Sequence, residues 1–186
     1  AKYSLPIVYA NQVGGQDELV FDGTSMVMDS EGIQVMQLAK FDKDMKVVEF
    51  VSDDGSNLKA ANYEDIPEEN EIADVYKALV LGAKDYILKN NFPGVLIGSS
   101  GGIDSALTAA IAADALGAEK VRTYMMPFKF TSDMSVEDAL ELAQNLGIEH
   151  SVIPIGDIYE SFYRELEEEF KDQGPDICLL YTSPSP

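Results

Sequence analysis

From Ile72 onward the chain alternates short apolar runs with helical stripes, and this alternation restricts its fold more than any other feature. Tyr76, Leu79, Val80, Ala83 and Ile87 recur at helical spacing, and Asn90-Asn91-Phe92-Pro93-Gly94 stops the run. Val95-Leu96-Ile97 has the length of a buried strand, and Ser105 to Leu116 reads as a helix closed by Gly117. Val121 to Met126 is the next strand, ended by Pro127. Val136, Ala139, Leu140, Ala143 and Leu146 mark a further helix, with Ser135 as its expected N-cap and Gly147 as its stop. Ser151-Val152-Ile153 supplies a third strand. This β-α-β-α-β order implies a parallel sheet with right-handed crossovers. In such sheets ligands sit beyond the carboxyl ends of the strands, here Gly98 to Asp104, Pro127 to Thr131 and Pro154 to Asp157.

The chain before this point has a different texture. Leu5 to Tyr9, Ser25 to Met28, Ile33 to Leu38 and Val47 to Val51 read as strands, and Asp29-Ser30-Glu31-Gly32 as a hairpin turn. Gly14-Gly15 and Asp22-Gly23 are expected as turns. Residues 52–71 are polar and acidic, a linker by composition. Ile158 to Lys171 is expected to be helical, whereas residues 175–186 continue no pattern and are read as a non-native tail. The chain does not start with Met, so its first residue is not expected to be a natural start.

With 33 acidic and 13 basic residues the net charge is −20, which repels phosphate backbones and argues against nucleic-acid binding. Any anionic ligand must be gripped by local donors. No apolar run is long enough to cross a membrane as a helix, and no secretory signal is visible. The single cysteine, Cys178, has no internal partner, so a cytoplasmic setting is expected. His150, the only histidine, is read as an edge or cap of its strand, and Asp17-Glu18 as a solvated turn or an interdomain contact.

One string carries chemistry: Gly98-Ser99-Ser100-Gly101-Gly102-Ile103-Asp104-Ser105, between a strand and a helix. Paired glycines let the backbone approach a phosphate closely. The turn and the following helix offer unpaired N–H groups and the positive end of a dipole. Ser99, Ser100 and Ser105 add hydroxyls. Asp104 would by itself repel phosphate, so its place in the loop points to a divalent cation bridging the two, best met by Mg2+. A Walker loop would need a lysine, and a dinucleotide fingerprint would need G-x-G-x-x-G; neither is present. An ordinary turn of small residues explains a lone Gly-Gly pair, but poorly explains the whole string after the first strand of such a sheet.

Ser100-Gly101-Gly102-Ile103-Asp104-Ser105-Ala106-Leu107 resembles the PP-loop of the ATP pyrophosphatases, and among them the NAD synthetases. Tyr76 to Gly82 with Asp85-Tyr86 is similar to that family's lead-in helix, and Met125-Met126-Pro127 with Thr131-Ser132 to its second-strand exit. Phe128-Lys129-Phe130 departs from the Ser-Arg-Tyr of relatives, and lysine keeps the charge without the bidentate fork. Leu5 to Tyr9 and Asn11 to Gly23 resemble the end of the nitrilase-type glutaminase domain found in glutamine-dependent members.

The resemblance implies an α/β fold: the end of a nitrilase-like β-sandwich over residues 1–51, the linker over 52–71, and over 72–174 the first part of a Rossmann-like parallel sheet of the adenine nucleotide α-hydrolase type. It implies a ligase that amidates deamido-NAD to NAD with ATP and glutamine, through an adenylate, releasing AMP and pyrophosphate. The implied site is Gly98 to Ser105 for ATP, with Mg2+ on Asp104 and nucleotide contacts at Lys129 and Thr131. A homo-oligomer is implied as well. The family's glutaminase Glu, Lys and Cys fall upstream of the Asn-Gln-Val-Gly-Gly block, so this segment alone is expected to be inactive. Two alternatives stand beside it: another PP-loop amidotransferase such as a GMP synthetase, which shares the loop, and a nucleotide-binding module without catalysis, which related folds allow.

Overall fold

The structure, a computed structural model, describes residues 4–52, 58–68 and 70–166. Its N-terminal part begins with strands β1 (Ile7–Tyr9), β4 (Met26–Met28) and β5 (Gln34–Gln37), an antiparallel sheet in the order β1-β4-β5. The Asp29–Gly32 turn forms as the sequence suggests. The Asp29 carboxylate accepts from the Glu31 and Ile33 amides, both at 2.9 Å, and from the Tyr63 hydroxyl at 3.0 Å. These bonds, the Ile33 amide foremost, hold the Asp29 carboxyl below its ordinary value against its burial, and the same contact raises the Tyr63 phenol. Val27, Val35, Met36 and Ala60 form the small core beneath this sheet.

Ala60 belongs to the stretch that composition marks as a linker, and here the structure differs from the sequence reading. The strands β6 (Phe50–Val51) and β7 (Lys59–Ala60) pair antiparallel. The Ala61 amide donates to the Glu49 carbonyl and the Glu64 amide to the Val35 carbonyl. Polar composition conceals these ties because they use the main chain and one small side chain. Val47 to Val51 accordingly contributes only two strand residues.

Between β1 and β4 lies a hairpin of β2 (Val13–Gln16) and β3 (Leu19–Asp22), turning at Asp17 and Glu18. Gly14-Gly15, expected as a turn, sits inside β2. The glycines serve close approach instead: a Cβ on Gly15 would stand 3.2 Å from the Gly82 Cα, on the helix packed against the hairpin.

That helix, α1 (Glu71–Lys89), starts at Asn70, whose side chain accepts from the Ala73 amide, and ends at Asn90. It leads into β8 (Val95–Gly98), α2 (Ile103–Leu116), β9 (Val121–Met125), α3 (Asp133–Leu146), β10 (Glu149–Val152) and α4 (Gly156–Leu166). The strands form the expected parallel sheet in the order β8-β9-β10, with Ile97 beside Thr123 and Thr123 beside His150. Ala109, Ala112, Val121, Ala143 and Ile148 form its core. The alanines let α2 approach the sheet, and a fully buried valine such as Val121, 0% exposed, contributes about 2 kcal/mol.

Two further details depart from expectation. His150 lies within β10 rather than at its edge: its Nδ1 is 2.9 Å from the Thr123 hydroxyl, and its Nε2 is buried without a hydrogen-bond partner among the described residues. The N-cap of α3 is Ser132, three residues before the expected Ser135, whose amide donates to the Ser132 Oγ at 3.2 Å. Ser135 occupies the N3 position, which a serine can also fill, so local pattern reads ambiguously. Ser132→Ala is expected to destabilise α3 by about 1 kcal/mol, whereas Ser135→Ala changes stability little; thermal unfolding of the two variants separates the roles. The proposed tail, residues 175–186, and the end of the expected acidic helix lie outside the described residues.

Candidate functional site

Parallel pairing brings the three strand exits to one edge of the sheet. The Ser99 amide donates to the Tyr124 carbonyl at 2.9 Å, carrying the ladder one residue beyond β8. The Ile153 and Ile155 amides donate to Met125 and Pro127, which sets the third exit beside the second. Ser99 is buried where the ladder ends, and the exposed part of the loop opens at Ser100.

Gly101 has φ +77°, in the left-handed region, and the start of α3 presses on it. A Cβ there would lie 2.7 Å from the Ser135 Cα and meet the Ser135 carbonyl oxygen as well. Both conformation and contact therefore demand glycine. Gly102 is extended and forms the N-cap of α2 without a side-chain cap. Inside the loop, the Ser100 amide donates to the Ser105 Oγ at 3.2 Å. The Ser105 hydroxyl donates to the Gly102 carbonyl at 2.9 Å, and the Gly102 amide to the Ser100 Oγ at 3.2 Å. The two hydroxyls thus hold the bend together. Among the described residues, the amides of Gly101, Ile103, Asp104 and Ser105 have no hydrogen-bond partner. Unpaired donors around the N-terminus of a 14-residue helix are what an anion site requires.

Asp104 stands in that first turn, exposed, and its carboxylate joins no ion pair among the described residues. Its backbone carbonyl accepts from the Thr108 hydroxyl at 2.8 Å. No cluster of three or more His, Cys, Asp or Glu side chains suited to a metal occurs among the described residues. A lone carboxylate fits the way Mg2+ binds, through one or two carboxylates with waters and substrate phosphates completing the shell.

Thr131 and Lys129, the other expected nucleotide contacts, have partners of their own. Thr131 closes a turn on Phe128: its amide donates to the Phe128 carbonyl at 2.8 Å, and its hydroxyl accepts from the Phe128 amide at 3.0 Å. The Lys129 ammonium lies 5.2 Å, 5.3 Å and 5.6 Å from the ring centres of Phe128, Phe130 and Tyr159, and 3.8 Å from a Glu160 oxygen. Phe128 packs on Tyr159 with centroids 4.4 Å apart, so this cluster ties α4 to the exit of β9. Sequence reading missed the cluster; the four-residue spacing of Tyr159 and Tyr163 on an amphipathic helix was the available signal.

A second arrangement was also missed. It joins β2 to α1: the Gly15 amide donates to the Asp85 carboxylate at 2.8 Å, and the Lys89 ammonium donates to the Gly15 carbonyl at 2.5 Å. No described helix is long and apolar enough to cross a membrane.

The family model for NAD synthase matches residues 75–176. The glutamine-dependent NAD(+) synthetase of Acinetobacter baylyi is 43% identical over 160 residues, 86% of this chain and 29% of that protein. The structure of the glutamine-dependent NAD+ synthetase from Acinetobacter baumannii in complex with ADP superposes with a TM-score of 0.85. It is 44% identical and covers 93% of this chain and 32% of that one. An NMN synthetase structure from Francisella tularensis gives a TM-score of 0.50 at 31% identity, covering 54% of this chain and 41% of that one. The chain spans about a third of the length of the curated relatives it matches, 29% and 35% in two of them. The loop and the parallel sheet that carries it lie within the matched region, and the chain belongs to the NAD synthase family.

Proposed function

We propose that the full gene product amidates deamido-NAD to NAD, using ATP and glutamine, and that residues 98–105 hold the pyrophosphate end of ATP. The observation that carries this reading is the set of unpartnered amides at Gly101 and Ile103 to Ser105, above an exposed Asp104. Support comes from the ADP bound to the Acinetobacter baumannii relative.

In this reading the nicotinate carboxylate attacks the α-phosphate of ATP, the α–β phosphoanhydride breaks, and pyrophosphate leaves carrying the electron pair. The loop amides meet the negative charge that accumulates on the departing diphosphate. Each such donor is worth about 3 kcal/mol in the transition state. Asp104 would hold Mg2+, which neutralises phosphate charge when bound. Ammonia then attacks the activated carbonyl, AMP leaves, and the amide of NAD forms. Ser100 and Ser105 keep the bend in shape, so no reorganisation is needed as charge develops. In this reading Lys129, held by the aromatic cluster, and Thr131, at the turn leaving β9, would be the nucleotide contacts on the second strand exit.

The ammonia comes from glutamine. In this reading residues 1–51 belong to the end of a nitrilase-like glutaminase domain and 72–174 to the first part of the ATP-binding domain, while 52–71 connect them and return β7 to the first of the two. The same family reading makes the protein a cytoplasmic homo-oligomer.

The test supplies the full gene product with ATP, Mg2+ and glutamine and offers three acceptors in parallel. Deamido-NAD is expected to yield NAD, AMP and pyrophosphate in equal amounts. Turnover of xanthylate alone would reassign the enzyme to GMP synthesis, and turnover of the nicotinate mononucleotide alone would align it with the NMN synthetase relative. Absence of ATP–pyrophosphate exchange with every acceptor would leave a binding module.

A further inference from the structure

The N-terminal hairpin and the helix that feeds the loop-bearing sheet meet at one closely fitted point. Gly15 presents both of its peptide groups to α1. Its amide is taken by the Asp85 carboxylate at 2.8 Å and its carbonyl by the Lys89 ammonium at 2.5 Å. The two side chains are one helical turn apart and pair with each other at 3.0 Å. They therefore read the main chain of a single residue as a unit, one charge for each polar group.

The surroundings allow little else at this point. A Cβ on Gly14 would come within 2.9 Å of the Asp85 Oδ2, and one on Gly15 within 3.2 Å of both the Asp85 Cβ and the Gly82 Cα. A Cβ on Gly82 would in turn meet the Val20 side chain of β3 at 3.1 Å. Three glycines on two elements thus permit a backbone-to-backbone approach that any side chain would open. Burial works against the charge on Asp85, but the bonds from Lys89 and from the Gly15 amide outweigh it and keep the carboxyl below its ordinary value. The contact is ionic and directional.

Resting on the proposed function, we infer that Asp85 and Lys89 are positioning residues that lock the glutaminase side of the protein onto the lead-in helix of the ATP-binding sheet, and so determine how well ammonia released on one side is used on the other. Neither residue touches a substrate. They act on how the two sides sit together: α1 leads through residues 90–94 into β8, so the lock fixes where that sheet stands against the hairpin. Loosening the lock lets the two sides shift, and ammonia escapes before it reaches the adenylate. Chemistry that uses ammonia from solution does not depend on that registry.

The experiment uses the full gene product and measures NAD formation twice, with glutamine and with saturating ammonium, alongside glutamate release. For Asp85→Ala and Lys89→Met, glutamine-driven NAD formation is expected to fall about tenfold, a coupling change of ordinary size. Ammonium-driven formation stays within about twofold of wild type, and more glutamate is released per NAD formed. Asp85→Asn, which keeps an acceptor for the Gly15 amide and loses the charge, falls in between and guards against a folding failure of the alanine variant. Equal loss of both rates would make the lock a purely structural contact and overturn the inference, as would unchanged glutamine coupling in all three variants. If the wild-type protein forms no NAD even from ammonium and ATP, the functional reading itself fails, an outcome distinct from either.

Discussion

Replacing Asp104 with alanine in the full gene product is expected to lower NAD formation at least a hundredfold and to leave glutamine hydrolysis intact. The size follows from the role proposed for the carboxylate: in a preorganised site, removing one group that stabilises charge on a leaving anion typically costs about 10²- to 10³-fold. Folding should hardly notice. Asp104 is exposed, pairs with no cation among the described residues, and only its backbone carbonyl is engaged, by Thr108. The loss of a first-turn acid weakens α2 by only about 0.5 kcal/mol. The measurement is NAD and glutamate production side by side, with thermal unfolding as control. If NAD forms at an undiminished rate, Asp104 holds no catalytic cation and the placement of ATP on this loop fails. Asp104→Asn distinguishes charge from shape, because the amide keeps the size and hydrogen-bonding reach of the carboxylate but attracts Mg2+ far less.

Gly101→Ala is expected to destabilise the sheet edge by about 3 kcal/mol, of which about 1–2 is the cost of a left-handed backbone for a residue with a Cβ and the remainder overpacking. The backbone angle of +77° accounts for the first part. The Ser135 main chain, with its Cα 2.7 Å from the added carbon, accounts for the second and cannot be relieved by a rotamer change. Gly147 provides the matched comparison. It is also left-handed, at +68°, but a Cβ there would meet nothing within 4 Å. Gly147→Ala should therefore cost only the conformational part, about 1 kcal/mol. Hydrogen exchange of α3 amides in the two variants checks the difference. Equal effects would mean that α3 does not press on the loop, and the rigidity ascribed to the anion site would lose its cause.

Much of the parallel sheet was legible because its signals are local. Strand length, helical spacing and the stops at Gly117 and Gly147 each depend on a few neighbouring residues, as does the Asp29 turn. The loop was legible for the same reason, since consecutive residues create its unpaired amides. Ser132 was missed because two serines three apart offer the same capping chemistry, and the entry of the chain decides between them. Gly14-Gly15 was misread because glycine signals either a turn or a close approach, and only the partner helix distinguishes the two. The aromatic cage of Lys129 joins residues 30 positions apart, beyond the reach of any local pattern.

By itself, then, the amino-acid order determined the alternation of elements, the glycine-lined bend and the acid placed within it. These follow from backbone preference and spacing, which act over one or two turns. Only the tertiary structure decided that the Ser135 backbone would lean on Gly101, that residues 59–64 would return to the first sheet, and that Asp85 and Lys89 would grip Gly15 across 70 and 74 residues. Those contacts exist because burying two separate apolar faces brings distant main-chain groups together, and each buried polar group must then find its partner there.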